Sequence, residues 1–374
     1  MGKRLLVTST DLMMVQFLVP HVINLAENGF EVEIACSDVG GRMDEIREKL
    51  KNHVKAIQVV RLVRSPASPV NLKGYQDMKK VIQSGCYDII WTNEPVMGVA
   101  TRLAARKARK KGTKVIYMVH GFQFFNGAEK KDWILFYPVE KFSSYFCDEI
   151  VTINQEDFQR AQKKMHVKSV KYIHGIGVDT ARLQAHNSRY SIRNELRLKK
   201  DDFLILSVGE LLPRKNQQII IKALGKLKDP DIHYILCGQG AQLEELKALV
   251  KENGIEAQVH FLGYRKNVLD IYRQVDLMVF PSKREGLGLA GLEAMYCGLP
   301  LITSNVSGPR DYMENGKTGF IYSPDDVEGF ADGISKMKEN IAFREACGQY
   351  NRKAVLPFCI DNSMQEVLEI FLEK

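Results

Sequence analysis

"LMVFPSKREGLGLAGLEAMYCGLPLITSN", residues 277–305, reads as a strand, a turn, a helix and a second strand. Leu277–Phe280 is a short apolar run closed by Pro281. A helical pattern opens among Gly286, Gly288 and Gly291 and stops near Gly298 and Pro300, where the next apolar run begins. Outward from this unit the chain keeps the same alternation of apolar runs and helical patterns, the mark of parallel α/β architecture. Strands are expected at residues 4–9, 31–37, 56–60, 88–93, 114–120, 149–154 and 171–178, and again at 203–209, 233–238, 259–263, 277–282, 300–305 and 318–323. Between the two sets, residues 179–202 are polar and charged with no strand pattern, so the domain boundary belongs there. At 374 residues the chain also exceeds the roughly 250–300 that one hydrophobic core sustains. Two doubly wound α/β domains in tandem follow, residues 1–185 and 186–353, with a last helical segment at about 354–374 expected to pack back on the first. In such sheets ligands bind beyond the carboxyl ends of the strands, which puts the expected site in the cleft between the domains.

An apolar fraction of 45% is ordinary globular composition. Seven cysteines without a C-x-x-C pair point to reduced thiols in the cytosol, not to a disulfide framework or a zinc site. No apolar run approaches the ~20 residues that span a bilayer, and the N-terminus lacks the apolar core and cleavage site of a signal peptide. The protein is therefore expected in the cytoplasm, peripherally associated with the inner face of the membrane. A formal charge of +8 implies an anionic partner. The densest basic stretch, "TRLAARKARKKGTK" at 101–114, has two readings: a solvated helix face, or a surface that meets anionic lipid head groups. Nucleic acid is not expected as a partner, since no helix-turn-helix, zinc-finger or aromatic RNA-binding signature accompanies the charge.

Gly286, Gly288 and Gly291 have the G-x-G-x-x-G spacing of a loop that wraps a dinucleotide pyrophosphate. That reading needs a carboxylate at the tip of the next strand to grip a ribose, and the tip here carries Thr303, Ser304 and Asn305. The motif also sits in the second half of the chain, whereas a nicotinamide enzyme more often carries it after the first strand, where this chain has "TSTDLMM". What the stretch does hold is a pair of carboxylates, Glu285 at the helix start and Glu293 about two turns on, about 80° around the helix.

The segment 279–322 resembles the C-terminal donor site of family-4 glycosyltransferases, with Glu285 and Glu293 matching the family's E-x(7)-E pair. In matching order the chain carries "VHGFQFF" (119–125) and "GIGVD" (175–179), similar to the family's N-domain landmarks, and "SVGELLPRKNQQIIIKAL" (207–224), similar to its glycine turn and basic segment. The resemblance implies the GT-B fold, two Rossmann-like domains with an interdomain cleft, and retaining transfer of a sugar from a UDP-sugar to a glycan acceptor. Relatives in capsule and exopolysaccharide synthesis imply a lipid-linked (undecaprenyl-diphosphate) acceptor. As the glycosidic bond breaks, charge grows on the leaving diphosphate, and fixed cations aimed there stabilise the transition state. The family pattern gives that work to Lys215, beside the turn at Gly209. Arg214 stands in for an arginine whose usual place is Glu210 here. The resemblance further implies that Glu293 takes the ribose hydroxyls and Glu285 the transferred sugar, and that Gly286 and Gly288 let backbone N–H groups approach it. His120, at the end of an expected strand, is implied to touch the sugar near the reacting centre.

On the acceptor side, Asp11 and Glu94 each follow a strand and can bind or deprotonate a hydroxyl, though Glu94 can equally complement the helix that Pro95 starts. No D-x-D pair occupies a metal loop, since "DPD" at 229–231 is turn chemistry, so a metal-independent reaction without a cofactor is expected. His174 stands where relatives often have proline, which leaves its role open. The aromatic stretch at 122–142 mixes Phe, Trp and Tyr with lysines; core packing explains part of it, and an amphipathic surface near a membrane suits the rest. Two other functions stay open: a UDP-sugar epimerase of the same fold, and a noncatalytic nucleotide-sugar binding protein.

Overall fold

In the computed structural model, which describes residues 2–185 and 189–373, every expected apolar run carries a strand. The first seven are β1 (Arg4–Thr10), β2 (Glu31–Ser37), β3 (Ala56–Val59), β4 (Ile89–Asn93), β5 (Lys114–Val119), β6 (Glu149–Thr152) and β7 (Ser169–Tyr172), in the order β3-β2-β1-β4-β5-β6-β7. The other six are β8 (Phe203–Val208), β9 (Ile232–Cys237), β10 (Val259–Gly263), β11 (Leu277–Phe280), β12 (Leu301–Ser304) and β13 (Gly319–Tyr322), in the order β10-β9-β8-β11-β12-β13. The pairings are parallel, Leu5 of β1 facing Val32 on one side and Ile89 on the other. Strands covered on both faces can be apolar throughout, and all four residues of β11 are buried.

Each sheet changes its direction of winding at one place, between β1 and β4 in the first and between β8 and β11 in the second. Crossover helices leave such a point to opposite sides, so the loops after the two neighbouring strands lie open to a ligand. This topology decides which residues of each unit can form a site.

The chain divides into two compact units, Met1–Ile176 with Asp361–Lys374, and Gly177–Ile360. The expected boundary at 185/186 abuts residues 186–188, which lie outside the described residues; the chain passes between the units at Ile176–Gly177 instead. The last strand of the first sheet ends early for a related reason. Gly175 and Gly177 take φ of +91° and +83°, left-handed values at which a strand cannot continue. The final helix, Ile360–Leu372, joins the first unit from Asp361 on, whereas residues 354–360 stay with the second. Phe371 packs edge-on against Trp91 and Phe30, with ring centroids 5.4 and 6.1 Å apart. His174 Nδ1 lies 2.5 Å from Glu366 Oε1 on the same helix, a structural task for that histidine.

The basic stretch is not one surface. Arg102 is fully buried, its Nη2 2.7 Å from Glu140 and its guanidinium 3.8 Å from the centre of the Tyr117 ring. Arg106, Lys107, Lys110 and Lys111 are exposed, so both sequence readings of the stretch apply only to them.

Candidate active site

Because β8 and β11 are neighbours, the loops that leave them lie side by side. After β8 the chain turns at Gly209, whose φ of +147° suits glycine, and reaches a short 3-10 turn over Pro213–Lys215. Asn216 ends that turn at φ +57°, buried, and its Nδ2 donates to the carbonyls of Pro281 (3.0 Å) and Pro324 (2.7 Å). Lys283 N donates to Arg214 O at 2.8 Å. These bonds lay the basic loop along the loop after β11. The result is a Lys215 Nζ to Glu285 Oε1 contact of 2.6 Å, with the side chains 14% and 9% exposed, and Nζ 5.1 Å from the centre of the Phe280 ring. Arg214 turns elsewhere and pairs with Glu210, both exposed. Of the two expected cations, only Lys215 is brought to the carboxylate.

The glycines have local reasons. Gly288 takes φ +90°, and a Cβ there would sit 2.7 Å from the Phe280 ring; a Cβ on Gly291 would sit 2.7 Å from Tyr312 Oη. A Cβ on Gly308, in the loop after β12, would lie 2.9 Å from the Leu287 backbone. Close packing between the loops after β11 and β12, and against the end of β11, therefore accounts for much of the spacing that suggested a dinucleotide. The helix Leu289–Tyr296 follows, and on it Glu293 is nearly buried. Its Oε1 accepts from Arg182 Nη2, and its Oε2 from Tyr272 Oη at 3.2 Å. Burial pushes the Glu293 carboxyl upward, while Arg182 and Tyr272 oppose that shift. The helix and the loop before it thus hold two largely buried carboxylates, each matched to one cation, and each carboxylate oxygen can accept more than one hydrogen bond.

In the first unit, β1 and β4 bring their loops together in the same way. Asp11 is fully buried, and its carboxylate accepts from the backbone N–H groups of Val39, Gly40 and Arg42 at 2.9–3.0 Å. It holds its own loop, a task that leaves it no exposed face toward an acceptor. Glu94 differs: its φ of +66° is left-handed for a residue with a Cβ, a conformation that costs about 1–3 kcal/mol and persists only where neighbours enforce it. Thr10 N donates to one carboxylate oxygen (2.7 Å) and Arg64 Nη2 to the other (3.2 Å). A cavity of ≈ 330 Å³ opens beside it, lined by Ser37, Arg64, Glu94, Gln123 and Phe136 among others.

His120 follows β5, with Nε2 2.9 Å from Asn93 Oδ1. The Asn93 amide donates to Thr8 O, which fixes its oxygen toward the imidazole, so Nε2 carries the proton and Nδ1 is a lone pair. Nδ1 is buried and has no hydrogen-bond partner among the described residues. Burial pushes the ring down to about 4, so His120 is neutral at pH 7.

Four residues of these sites escaped sequence reasoning: Arg64, Arg182, Asn216 and Tyr272. The "KN" after Pro213 was a usable signal for Asn216, since asparagine tolerates φ > 0. The other three sit in unremarkable helix or loop sequence. Among the described residues no group of three or more His, Cys, Asp or Glu side chains is placed to hold a metal ion, and no helix is long and apolar enough to cross a membrane.

Two tandem doubly wound sheets, with a lysine–glutamate pair at the switch point of the second and another largely buried glutamate eight residues on, define a glycosyltransferase of the GT-B type. Residues 188–354 match the family model for glycosyl transferases group 1, and residues 21–182 match that for glycosyltransferase family 4. A Bacillus subtilis (strain 168) protein described as putative glycosyltransferase EpsD is 34% identical over 377 residues, 99% of this chain and 97% of that one. The chain belongs to this glycosyltransferase family, which decides for the transferase over the epimerase and the noncatalytic binder. The Escherichia coli UDP-Gal:alpha-D-GlcNAc-diphosphoundecaprenol alpha-1,3-galactosyltransferase is 24% identical across 93% of this chain and 90% of its own. Among solved structures, Anabaena HepE in complex with UDP has a TM-score of 0.80 at 21% identity, with 99% of each chain covered. Sucrose-phosphate synthase from Thermosynechococcus elongatus has a TM-score of 0.79 at 18% identity, covering 99% of this chain and 98% of that one. At such identities these two establish the fold.

Proposed function

We propose that the enzyme is a retaining glycosyltransferase that moves a sugar from a UDP-sugar, without a metal, to a lipid-linked glycan acceptor during assembly of a capsule or exopolysaccharide. The largely buried Lys215–Glu285 pair, beside the helix that carries Glu293, is the observation that carries the donor assignment. Lys215 has one anion in the protein and gains a second when a diphosphate binds. As the glycosidic bond breaks, that second anion gains charge, Lys215 follows it, and Glu285 is released to hold sugar hydroxyls. Arg214 adds charge from its exposed position, the N–H groups around Gly286 and Gly288 line the diphosphate side, and Glu293 takes the ribose. His120 offers Nδ1 as an acceptor to a sugar hydroxyl. Glu94, not Asp11, is the acceptor-side carboxylate. HepE was solved with UDP and with UDP and glucose, and the Escherichia coli relative is named for a UDP-galactose donor and a diphosphoundecaprenol acceptor, which supports both halves of the reading.

A thermal-shift panel tests the donor. UDP at about a hundred times its Kd should stabilise the protein by about 2.7 kcal/mol. EDTA should leave that gain unchanged, and NAD should give none. Stabilisation by NAD alone, or a UDP effect that vanishes with EDTA, sinks the reading.

Attachment to a membrane is proposed for the first unit. In the helix Lys130–Ser143, Ile134, Leu135 and Phe142 are 72%, 61% and 57% exposed, an unusual cost for an apolar face in water. Lys130, Lys131 and Lys141 flank them. The basic run 106–111 adjoins the end of this helix, half-buried Arg109 donating to Tyr145 O and exposed Arg106 lying over the Phe146 ring. Apolar anchors ringed by lysines suit an anionic lipid surface. Vesicles containing phosphatidylglycerol should bind the protein, release it as salt rises, and bind an Ile134→Ser/Leu135→Ser variant weakly; equal binding by that variant would contradict the assignment.

A further inference from the structure

Arg182 is a residue the proposed reaction has not used. It lies on the short helix Thr180–Gln184, half exposed, and reaches across to Glu293. Its helix does not depend on that ion pair for its place. Leu183 is fully buried and its carbonyl accepts from Arg273 Nη2 at 2.6 Å; Gln184 Nε2 donates to Tyr296 Oη at 3.0 Å; Asp179 Oδ1 accepts from Arg182 N at 2.9 Å. The guanidinium is thus presented to the carboxylate by a separately anchored element.

We propose that Arg182 is a positioning residue of the nucleotide site: with Tyr272 it keeps the Glu293 carboxylate ionised and oriented to accept two hydroxyls of a nucleoside ribose. This rests on the ribose role of Glu293 given above. A carboxyl taken out of water by burial drifts toward its neutral form, and a protonated carboxyl loses acceptor capacity. Four charged or titratable groups face this one. Arg182 and Tyr272 favour the carboxylate; Asp179 opposes it, and the Cys297 thiol lies close enough to feel its charge. Arg182 is the only cation among them. Its pairing with Oε1 and that of Tyr272 with Oε2 also set the plane of the carboxylate, while each oxygen keeps capacity for a further bond.

Removing the guanidinium should therefore do two things that loss of packing does not. Arg182→Ala should weaken UDP by about tenfold to a hundredfold, the span for one charge-assisted hydrogen bond. It should also make UDP affinity fall as the medium moves from mildly alkaline to mildly acidic, because Glu293 then protonates without its counterion. Arg182→Lys should restore most of the affinity and flatten the profile. Glu293→Gln should bind weakly at every pH, and the parent should prefer UDP to its 2′-deoxy analogue. Isothermal titration of the four proteins with UDP and 2′-deoxy-UDP across that pH range reads all of this. If Glu293→Gln and the deoxy analogue weaken binding while Arg182→Ala behaves as the parent does, the positioning role is overturned and the ribose role stands. If neither Glu293→Gln nor the deoxy analogue changes affinity, the ribose role itself has failed.

Discussion

Glu285→Gln is expected to lower turnover by about 10²–10³, or about 2.7–4 kcal/mol of transition-state stabilisation, with UDP affinity unchanged or higher. The split follows from the pairing at the switch point. Lys215 Nζ lies 2.6 Å from Glu285 Oε1, so a diphosphate must compete with that carboxylate for the same ammonium. Glutamine keeps the size of the side chain but not its charge, and the competition ends. What is lost is an anion released toward the sugar when charge moves to the leaving group, an interaction that belongs to the transition state. Lys215→Ala should differ in kind: turnover and UDP affinity fall together, because the cation serves ground and transition states alike. Steady-state kinetics with titration of UDP separate the two. A Glu285→Gln enzyme that transfers sugar at the parent's rate, or that loses UDP binding as Lys215→Ala does, would contradict the pairing as the core of the site.

The elements that place this site were legible because they are local. The central strands are apolar runs buried along their length, and such runs show in sequence without knowledge of their neighbours. The rule that ligands gather beyond the carboxyl ends of strands pointed to the loops after β8 and β11, and the family resemblance singled out Lys215 and Glu285 within them, although 70 residues separate the two. Partners supplied by side chains on other elements were not legible. Arg182 and Glu293 are 111 residues apart, and nothing in "DTARLQ" marks that arginine against other polar linker residues. Tyr272 ends the short, largely apolar helix "VLDIY", where nothing in the sequence sets its hydroxyl apart. Asp11 and Glu94 looked alike in sequence, each a carboxylate after a strand. Only the backbone N–H groups of residues 39–42, which fold over Asp11, and the left-handed φ of Glu94 tell them apart. Charge density misled in the same way: composition shows that residues 101–114 are basic but not which way each side chain faces.

That last distinction carries a large effect. Arg102→Met is expected to destabilise the first unit by about 3–5 kcal/mol, the cost of leaving one buried charge without its partner. Arg102 is 0% and Glu140 6% exposed, and Glu140 takes hydrogen bonds from Arg102 Nη2 at 2.7 Å and from Tyr117 Oη at 3.0 Å. Without the guanidinium, the Glu140 carboxylate keeps one neutral donor in a space closed to water. For a unit of this size the loss corresponds to roughly 6–20 °C in Tm. Replacing the whole cluster should recover most of it, since buried ion pairs exchanged for packed apolar groups are often neutral or better. Tyr117 must change too, because its hydroxyl would otherwise be stranded at about 1–3 kcal/mol. The triple variant Arg102→Met/Glu140→Leu/Tyr117→Phe should therefore melt well above Arg102→Met alone. Lys107→Glu/Lys110→Glu, from the exposed part of the same run, should barely move the melting temperature yet weaken vesicle binding. Calorimetry and vesicle sedimentation on the three variants decide the matter: if Arg102→Met melts with the parent, or the exposed pair destabilises the fold as much, the division of this basic run into a buried anchor and a lipid-facing remainder is wrong.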